Sequence, residues 1–343
     1  MKTTLDVSGK KIVISRTDSI GDVMLTLPVV AWLKEQFPGC HITFLCRKYT
    51  EYIVRCFKGV DDILLLETIE ALPEEHRVPF IEAKHFDTII HVFPRKELAK
   101  LFKKAGVPNR IGTSHRMFHL FTCNIRPGFT RKGSPFHEAQ LNFELFRPLG
   151  LEQLPAFDQL NAWCKRFEVP EAPLPAFIEN RLSSGDKSII LHPKSQGSAR
   201  EWPIGKYTAL SLELASKGWM VFFTGTESEG QQFRTDLPID ERVTDTTGKL
   251  SIEQLLWLLK RSDALVACST GPLHLAGFMD KRAIGLFSPR VPIHPGRWKA
   301  LGENSVALVF DENCPVCKSG KPCDCIREIP VSRVVEELNG LQR

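Results

Sequence analysis

Several common signatures of nucleotide chemistry are missing from this chain. It has no G-x-G-x-x-G and no G-x-x-x-x-G-K, so dinucleotide oxidation and P-loop ATP hydrolysis lose their usual support. No apolar run approaches the ~20 residues of a membrane span. The opening MKTTLDVSGKK lacks the continuous apolar stretch of a secretory signal, which leads us to expect a cytosolic protein. Low-complexity segments and short solenoid periods are absent as well. At 343 residues, 43% apolar and 25% charged, the chain is too long for one comfortable core. Two domains are expected.

The strand and helix grammar supports that division. KIVISR, HITFLCR, DDILLLE and FDTIIHVF read as strands of a first domain, with VMLTLPVVAWLKEQF as a helix and His137–Leu151 as a closing helix. SIILHP, WMVFFTG, ALVACS, RAIGLF and SVALVF repeat the pattern, with helices in IGKYTALSLELASKG and SIEQLLWLLKRSD. Short Val, Ile and Phe runs separated by amphipathic stretches predict parallel sheets with crossover helices. The proline-rich passage Pro155–Pro175 reads as the linker. The expected division is a Rossmann-like domain over 1–165, a second Rossmann-like domain over 166–330, and a helix over 331–343 able to pack back on the first domain.

Two turns carry most of the chemistry. RTDSIGDVMLTLP, Arg16–Pro28, and CSTGPLHLAG, Cys268–Gly277, each follow an apolar strand with Gly and small hydroxyl residues that let backbone N–H groups approach an anion. Asp22 follows Gly21 at a helix start, where it can cap the helix or take a proton from an attacking hydroxyl. LHPKSQGSAREWP brings Lys194, Ser195, Gln196, Ser198 and Arg200 after a strand, a reasonable diphosphate cradle and, alone, an ordinary polar loop. FTGTESEG supplies Glu227 and Glu229, which suit ribose hydroxyls or a solvated helix start.

In order along the chain, these segments and GLFSPRVPIHPGRW resemble glycosyltransferase family 9, the heptosyltransferase family of lipopolysaccharide inner-core assembly. The resemblance implies a GT-B fold, two doubly wound α/β domains facing a central cleft, with the acceptor held by the domain over 1–165 and the nucleotide-sugar donor by the domain over 166–330. It also implies an inverting, metal-independent transfer from a nucleotide sugar, ADP-heptose first, to an anionic lipopolysaccharide-core-type glycolipid. No D-x-D motif is present, in agreement. Asp22 falls at the family's proposed base, and Arg200 where a cation, usually Lys, faces the diphosphate. Ser195, Gln196, Ser198, Glu229, Ser269, Thr270, Gly271, Pro272 and His274 fall on the donor side. Ser269 departs from the aspartate of many members, which loosens the identity of the sugar.

Between Arg95 and Lys132 ten cations face a single acid, Glu97, a larger excess than the +5 of the whole chain. Lys100, Lys103, Lys104, Arg110 and Arg116, interleaved with Phe93, Phe102, Phe118 and Phe121, are expected to meet the glycolipid acceptor or the cytoplasmic face of the inner membrane. Nucleic acid is not expected, because no recognition-helix, RRM or zinc-finger pattern accompanies the charge. Six of the ten cysteines are scattered in apolar segments as reduced thiols. The other four, Cys314, Cys317, Cys323 and Cys325, form C-x2-C-x5-C-x-C. Because the C-x-C end is tight for two ligands of one ion, reduced thiols are the favoured reading ahead of structural zinc and of redox or disulfide chemistry, and no cofactor is expected to be required.

The alternatives are a family relative using another nucleotide sugar for O-antigen or capsule, a sugar-nucleotide epimerase of similar fold, and a non-catalytic nucleotide- or glycolipid-binding protein.

Overall fold

A computed structural model describes residues 4–321 and 323–339. The chain divides into two compact units, Met1–Glu168 and Val169–Arg343. In the first unit, strands β1 (Lys11–Ser15), β2 (His41–Cys46), β3 (Asp62–Leu65), β4 (Thr88–His91) and β5 (Asn109–Ile111) form one sheet in the order β3-β2-β1-β4-β5. Every pairing is parallel. The second unit has β6 (Ser188–His192), β7 (Met220–Phe223), β8 (Val243–Asp245), β9 (Ala264–Cys268), β10 (Arg282–Phe287) and β11 (Ser305–Val309), all parallel, in the order β11-β10-β9-β6-β7-β8.

In each sheet the first strand lies inside and the winding reverses beside it, at β1/β4 and at β6/β9. Loops leaving the carboxyl ends of such a pair run apart and open a crevice for ligands. The segments after β1, β6 and β9 are the ones singled out from sequence. The interior strands β1, β2, β4, β6, β7, β9 and β10 are nearly continuous apolar runs, because a parallel sheet is covered on both faces.

Several local expectations change. The helix expected over VMLTLPVVAWLKEQF is two, Ile20–Met24 and Pro28–Gln36. Pro28 has no N–H to continue the first and its fixed φ suits the first turn of the second. His137–Leu151 is an α-helix, Glu138–Phe143, followed by a 3-10 segment, Glu144–Leu149, that contains Pro148. The expected linker holds the helix Phe157–Cys164, whose Trp163 and Cys164 are buried, Trp163 stacked on Phe143 at 5.5 Å. Pro155 lies just ahead of that helix in the first unit, and Pro175 stands at the cap of the helix Ala176–Leu182 in the second.

The C-terminal helix, Val331–Asn339, has its apolar face in the second unit, where Val334, Val335 and Leu338 sit in the core with Leu210, Leu214 and Trp219. Residues 340–343 of that expected helix lie outside the described residues. Gly277, at the end of the STGPLHLAG motif, is required by close approach: a Cβ there would stand 2.0 Å from the Leu301 carbonyl.

Leu338 is 2% exposed. Leu338→Ala is expected to lower the unfolding free energy by about 2–5 kcal/mol, the cost of a core leucine deletion. Urea unfolding checks this; an unchanged midpoint would mean the helix does not complete the core.

Candidate active site

Beside the β1/β4 reversal, the turn after β1 is built around a buried cation. Arg16 is 4% exposed on its side chain, and it meets Asp18 at 2.7 Å, Glu138 at 3.8 Å and Asp22 more closely. Its remaining N–H reaches Asn142 Oδ1 at 3.3 Å. Burial works against the Arg16 charge; Asp22, Asp18 and Glu138 more than offset it and hold its pKa above the ordinary arginine value. Asn142 also accepts from Arg131 at 3.1 Å and donates to the Leu25 carbonyl and Thr26 Oγ1. Arg131 is paired with Glu138. Sequence reasoning passed over Arg16, Asp18, Arg131, Glu138 and Asn142, although Arg16 and Asp18 lie within the turn it quoted.

Asp22 occupies the third position of the helix Ile20–Met24, with Ser19 at the cap. Ser19 Oγ donates to Asp22 Oδ2 at 2.5 Å and accepts from the Asp22 N–H at 3.4 Å. The cap is thus Ser19, which takes the Asp22 N–H, while the Asp22 carboxylate, 19% exposed, is held by Arg16 and Ser19. Next to it, burial pushes Asp18 up to about 6 against the pull of Arg16, with Asp22 adding to the rise. At the end of β4, His91 and His119 lie 5.7 Å apart. Burial, then His119 and Arg110, push His91 down to about 3, so the ring stays neutral.

In the second unit the loop after β6 is organised by Glu201, which sequence reasoning did not single out. Its carboxylate accepts from Lys194 Nζ at 2.6 Å, from the Ser195 N–H at 2.9 Å and from Ser195 Oγ at 3.0 Å. Burial opposes its ionisation, but the bonds from Lys194 and Ser195 hold its pKa below the ordinary value. Ser195 is 6% exposed, with its hydroxyl also against the Ala199 carbonyl. It shapes the loop from within. Ser198 Oγ returns to the Ser195 carbonyl at 2.7 Å. Gln196 is exposed and carries φ 50°, left-handed for a non-glycine residue, beside Gly197 at φ 79°.

Arg200 differs from the other cations of the site. It is half-buried, its Nη1 donates to the Cys323 carbonyl at 3.1 Å, and among the described residues it has no carboxylate partner. It lines a small pocket with Ser269, Phe287, Ser288 and Ile326, where the ends of β9 and β10 meet the loop. Thr270 caps the helix Gly271–Phe278 only by its backbone, its hydroxyl donating to the Cys268 carbonyl at 3.3 Å. Pro272 and His274 are buried behind that turn. A partly buried cation without a counter-charge, beside a helix N-terminus, is suited to an anion.

The two acids after β7 have structural partners. Glu229 is 4% exposed and closes a capping box, its Oε2 accepting from the Thr226 N–H at 2.7 Å and Thr226 Oγ1 at 3.0 Å. Glu227 is paired with Arg234 at 2.9 Å. Nearby, His192 Nδ1 and Thr224 Oγ1 are 3.0 Å apart, bridging the ends of β6 and β7.

The basic stretch separates into two groups. Arg110 is held by the Thr122 and Pro108 carbonyls at 2.8 and 3.2 Å, and Lys103 by the Phe121 carbonyl at 2.8 Å. Lys100, Lys104 and Arg116 are exposed. Phe102, expected at the surface, is fully buried under the helix Lys96–Lys104, and Phe93 and Phe118 are half-buried. Of the four expected rings Phe121 is exposed, at 71%, and it is joined by Met117 at 79% and Leu120 at 52%. The mixture of cations and phenylalanines in the sequence pointed to this stretch without saying which ring was outside.

Because the Asp18 pKa rises from 3.8 in the unfolded chain to about 6, the folded state binds its proton more tightly, so this group's contribution to stability falls as pH rises from about 4 to about 6. Asp18→Asn is therefore expected to raise the urea midpoint relative to the parent at pH 7.5, with the gain shrinking towards zero near pH 4. A difference independent of pH would mean Asp18 does not titrate there.

Comparison with known proteins bears on the whole chain. The glycosyltransferase family 9 (heptosyltransferase) profile matches residues 81–326, well over half of it. The lipooligosaccharide heptosyltransferase 2 of Haemophilus influenzae is 28% identical over 290 residues, 80% of this chain and 82% of that relative. The lipopolysaccharide core heptosyltransferase OpsX of the same organism is 21% identical over 334 residues, covering 91% and 88%. Among solved structures, a family 9 glycosyltransferase from Veillonella parvula superposes with a TM-score of 0.76 at 18% identity, covering 98% of both chains. The Escherichia coli heptosyltransferase WaaC with ADP gives 0.72 at 17% identity, covering 96% of this chain and 99% of that one. Two parallel-sheet Rossmann-like units and these likenesses bear out the GT-B fold class. With the profile match, they make the chain a glycosyltransferase belonging to family 9, the heptosyltransferase family.

Proposed function

We propose that the chain transfers heptose from ADP-heptose to a hydroxyl of a lipopolysaccharide-core-type glycolipid, with inversion at the anomeric carbon. Arg200 carries the reading: a half-buried guanidinium with no carboxylate partner among the described residues, at the strand ends where the second sheet reverses. The family membership and a structural relative holding ADP support a nucleotide donor. Asp22, held by Arg16 and Ser19, takes the proton of the acceptor hydroxyl. The oxygen attacks the anomeric carbon opposite the departing diphosphate, and the bond to the diphosphate oxygen breaks. Arg200 and the N–H of Gly271 collect the growing charge. Ser195 and Glu201 hold the loop that positions Arg200, while Gln196 and Ser198 edge the diphosphate. Glu229 supports the ribose side through its capped turn.

A second reading, another nucleotide sugar, is favoured by Ser269. A neutral hydroxyl there gives up the charge-assisted bond of the carboxylate found in many relatives, and such bonds are roughly twice as strong as neutral ones. Thermal unfolding with ADP-heptose, ADP, UDP, GDP and CMP separates the readings. Selective stabilisation by ADP and ADP-heptose is expected, about 2.7 kcal/mol at a hundredfold excess over Kd. Preference for another nucleotide would discard heptose. Asp22→Asn is expected to lower turnover by at least ~100-fold, as loss of a general base does, with ADP binding retained. Unchanged turnover would remove Asp22 from the chemistry.

We place the acceptor and the cytoplasmic leaflet of the inner membrane at the surface formed by Met117, Leu120 and Phe121 with Lys100, Lys104 and Arg116. Exposed apolar side chains amid cations suit an anionic lipid surface. No helix among the described residues is long and apolar enough to cross a membrane. Sedimentation with phosphatidylglycerol vesicles should fall roughly tenfold in Phe121→Ser, since a buried Phe side chain contributes about 1.5–3 kcal/mol. Equal binding by parent and variant would move the contact elsewhere.

A further inference from the structure

The segment between β11 and the C-terminal helix joins the second unit's core through Ile326 and Ile329, at its end, while its first part has little apolar anchorage. Phe310 and Val316 are 49% and 41% exposed, and its regular structure is two four-residue helices, Pro315–Lys318 and Cys325–Glu328. Helices that short do not hold themselves. At the centre of the segment is sulfur: Cys314, Cys317 and Cys325 are buried together, with Cys323 packed against them.

The four Sγ atoms all lie within 4.8 Å of one another. Cys314 and Cys323 are 3.5 Å apart, and Cys323 and Cys325 3.1 Å. A disulfide needs about 2.05 Å, so neither pair is bonded. Four thiolates around one tetrahedral zinc, each about 2.3 Å from it, stand about 3.8 Å from one another. The observed separations bracket that edge. The short C-x-C spacing, which favoured free thiols in the sequence, turns both sulfurs onto the same point as the C-x2-C pair. Ser288, buried at the end of β10, places its Oγ 3.3 Å from Cys317 Sγ, the outer hydrogen bond that ligating groups of metal sites commonly receive.

We propose that Cys314, Cys317, Cys323 and Cys325 bind one divalent thiophilic ion, zinc in the first instance, in a closed tetrathiolate site. The thiol protons leave to solvent as the ion binds. With four protein ligands the site has no open position, so the ion acts on the fold. It orders the segment and fixes the Cys323 carbonyl that receives the Arg200 N–H at 3.1 Å, making these cysteines positioning residues for Arg200. That last link rests on the donor-site reading; the metal content does not.

The test uses the full chain, purified under reducing conditions without chelator, with metal measured by mass spectrometry. About one equivalent of zinc is expected, lost in Cys314→Ser and in Cys325→Ser and retained in Cys46→Ser, whose thiol is buried elsewhere. Iron at the same stoichiometry, lost in the same variants, would also support the site. If the serine variants fail to fold, mercurial titration of the parent should release the ion in step with four thiols. Metal at background level after zinc reconstitution, with the four thiols free or paired as disulfides, would overturn the proposal. Separately, the chelated protein should bind ADP severalfold more weakly; unchanged ADP binding beside a confirmed ion would overturn only the link to Arg200.

Discussion

Parallel strands must be joined by crossovers that run over the faces of the sheet, and these crossovers are right-handed. A sheet that begins in its middle and grows both ways must therefore reverse its winding once. Both units meet this constraint in the same way, starting at β1 and at β6. The reversal leaves the carboxyl ends of two neighbouring strands uncovered, and the loops there can be polar at little cost to the core. Asp22, Arg200 and Ser269 stand where they do because of that geometry.

The two sites handle charge in opposite ways. Around Arg16 the cation is enclosed by three carboxylates and an amide, so its charge is spent on shape and on aiming Asp22. Removing Arg16 from such a buried set would leave three carboxylates without the cation they share, which makes it the member the network can least lose. In the second unit Glu201 takes Lys194 and Ser195, leaving Arg200 with only a carbonyl among the described residues. In one site the buried cation finds its counter-charges within the protein, and in the other it retains an excess suited to a ligand's charge.

Much of this was legible in the sequence. Apolar runs gave nine of the eleven strands, because strands covered on both faces are uniformly apolar. The short strands β5, with Asn109 and Arg110, and β8, with Thr244 and Asp245, carry too few apolar residues to show. Site loops were visible through Gly and hydroxyl content, but the roles of single residues depended on tertiary partners. Ser195 and Glu229 look like free ligands in a string of letters, and their hydrogen bonds to Glu201 and Thr226 show otherwise. Arg16, ordinary in the sequence, is one of the most buried charges of the chain because Glu138 and Asn142, more than a hundred residues later, return to it.

The helix Val331–Asn339 closes the second core against residues near Leu210 and Trp219. Trp202 Nε1 and Lys206 Nζ both donate to the Ile329 carbonyl, at 3.0 and 2.9 Å, just ahead of that helix. During synthesis the first unit has all of its strands once Glu168 has left the ribosome, and domains generally fold as units. The second waits through more than a hundred further residues with the indole of Trp202 and the apolar side of Ile204–Ser216 uncovered. The nascent second unit is thus the portion most in need of chaperone protection, and a chain that stops short of Leu338 leaves that surface bare.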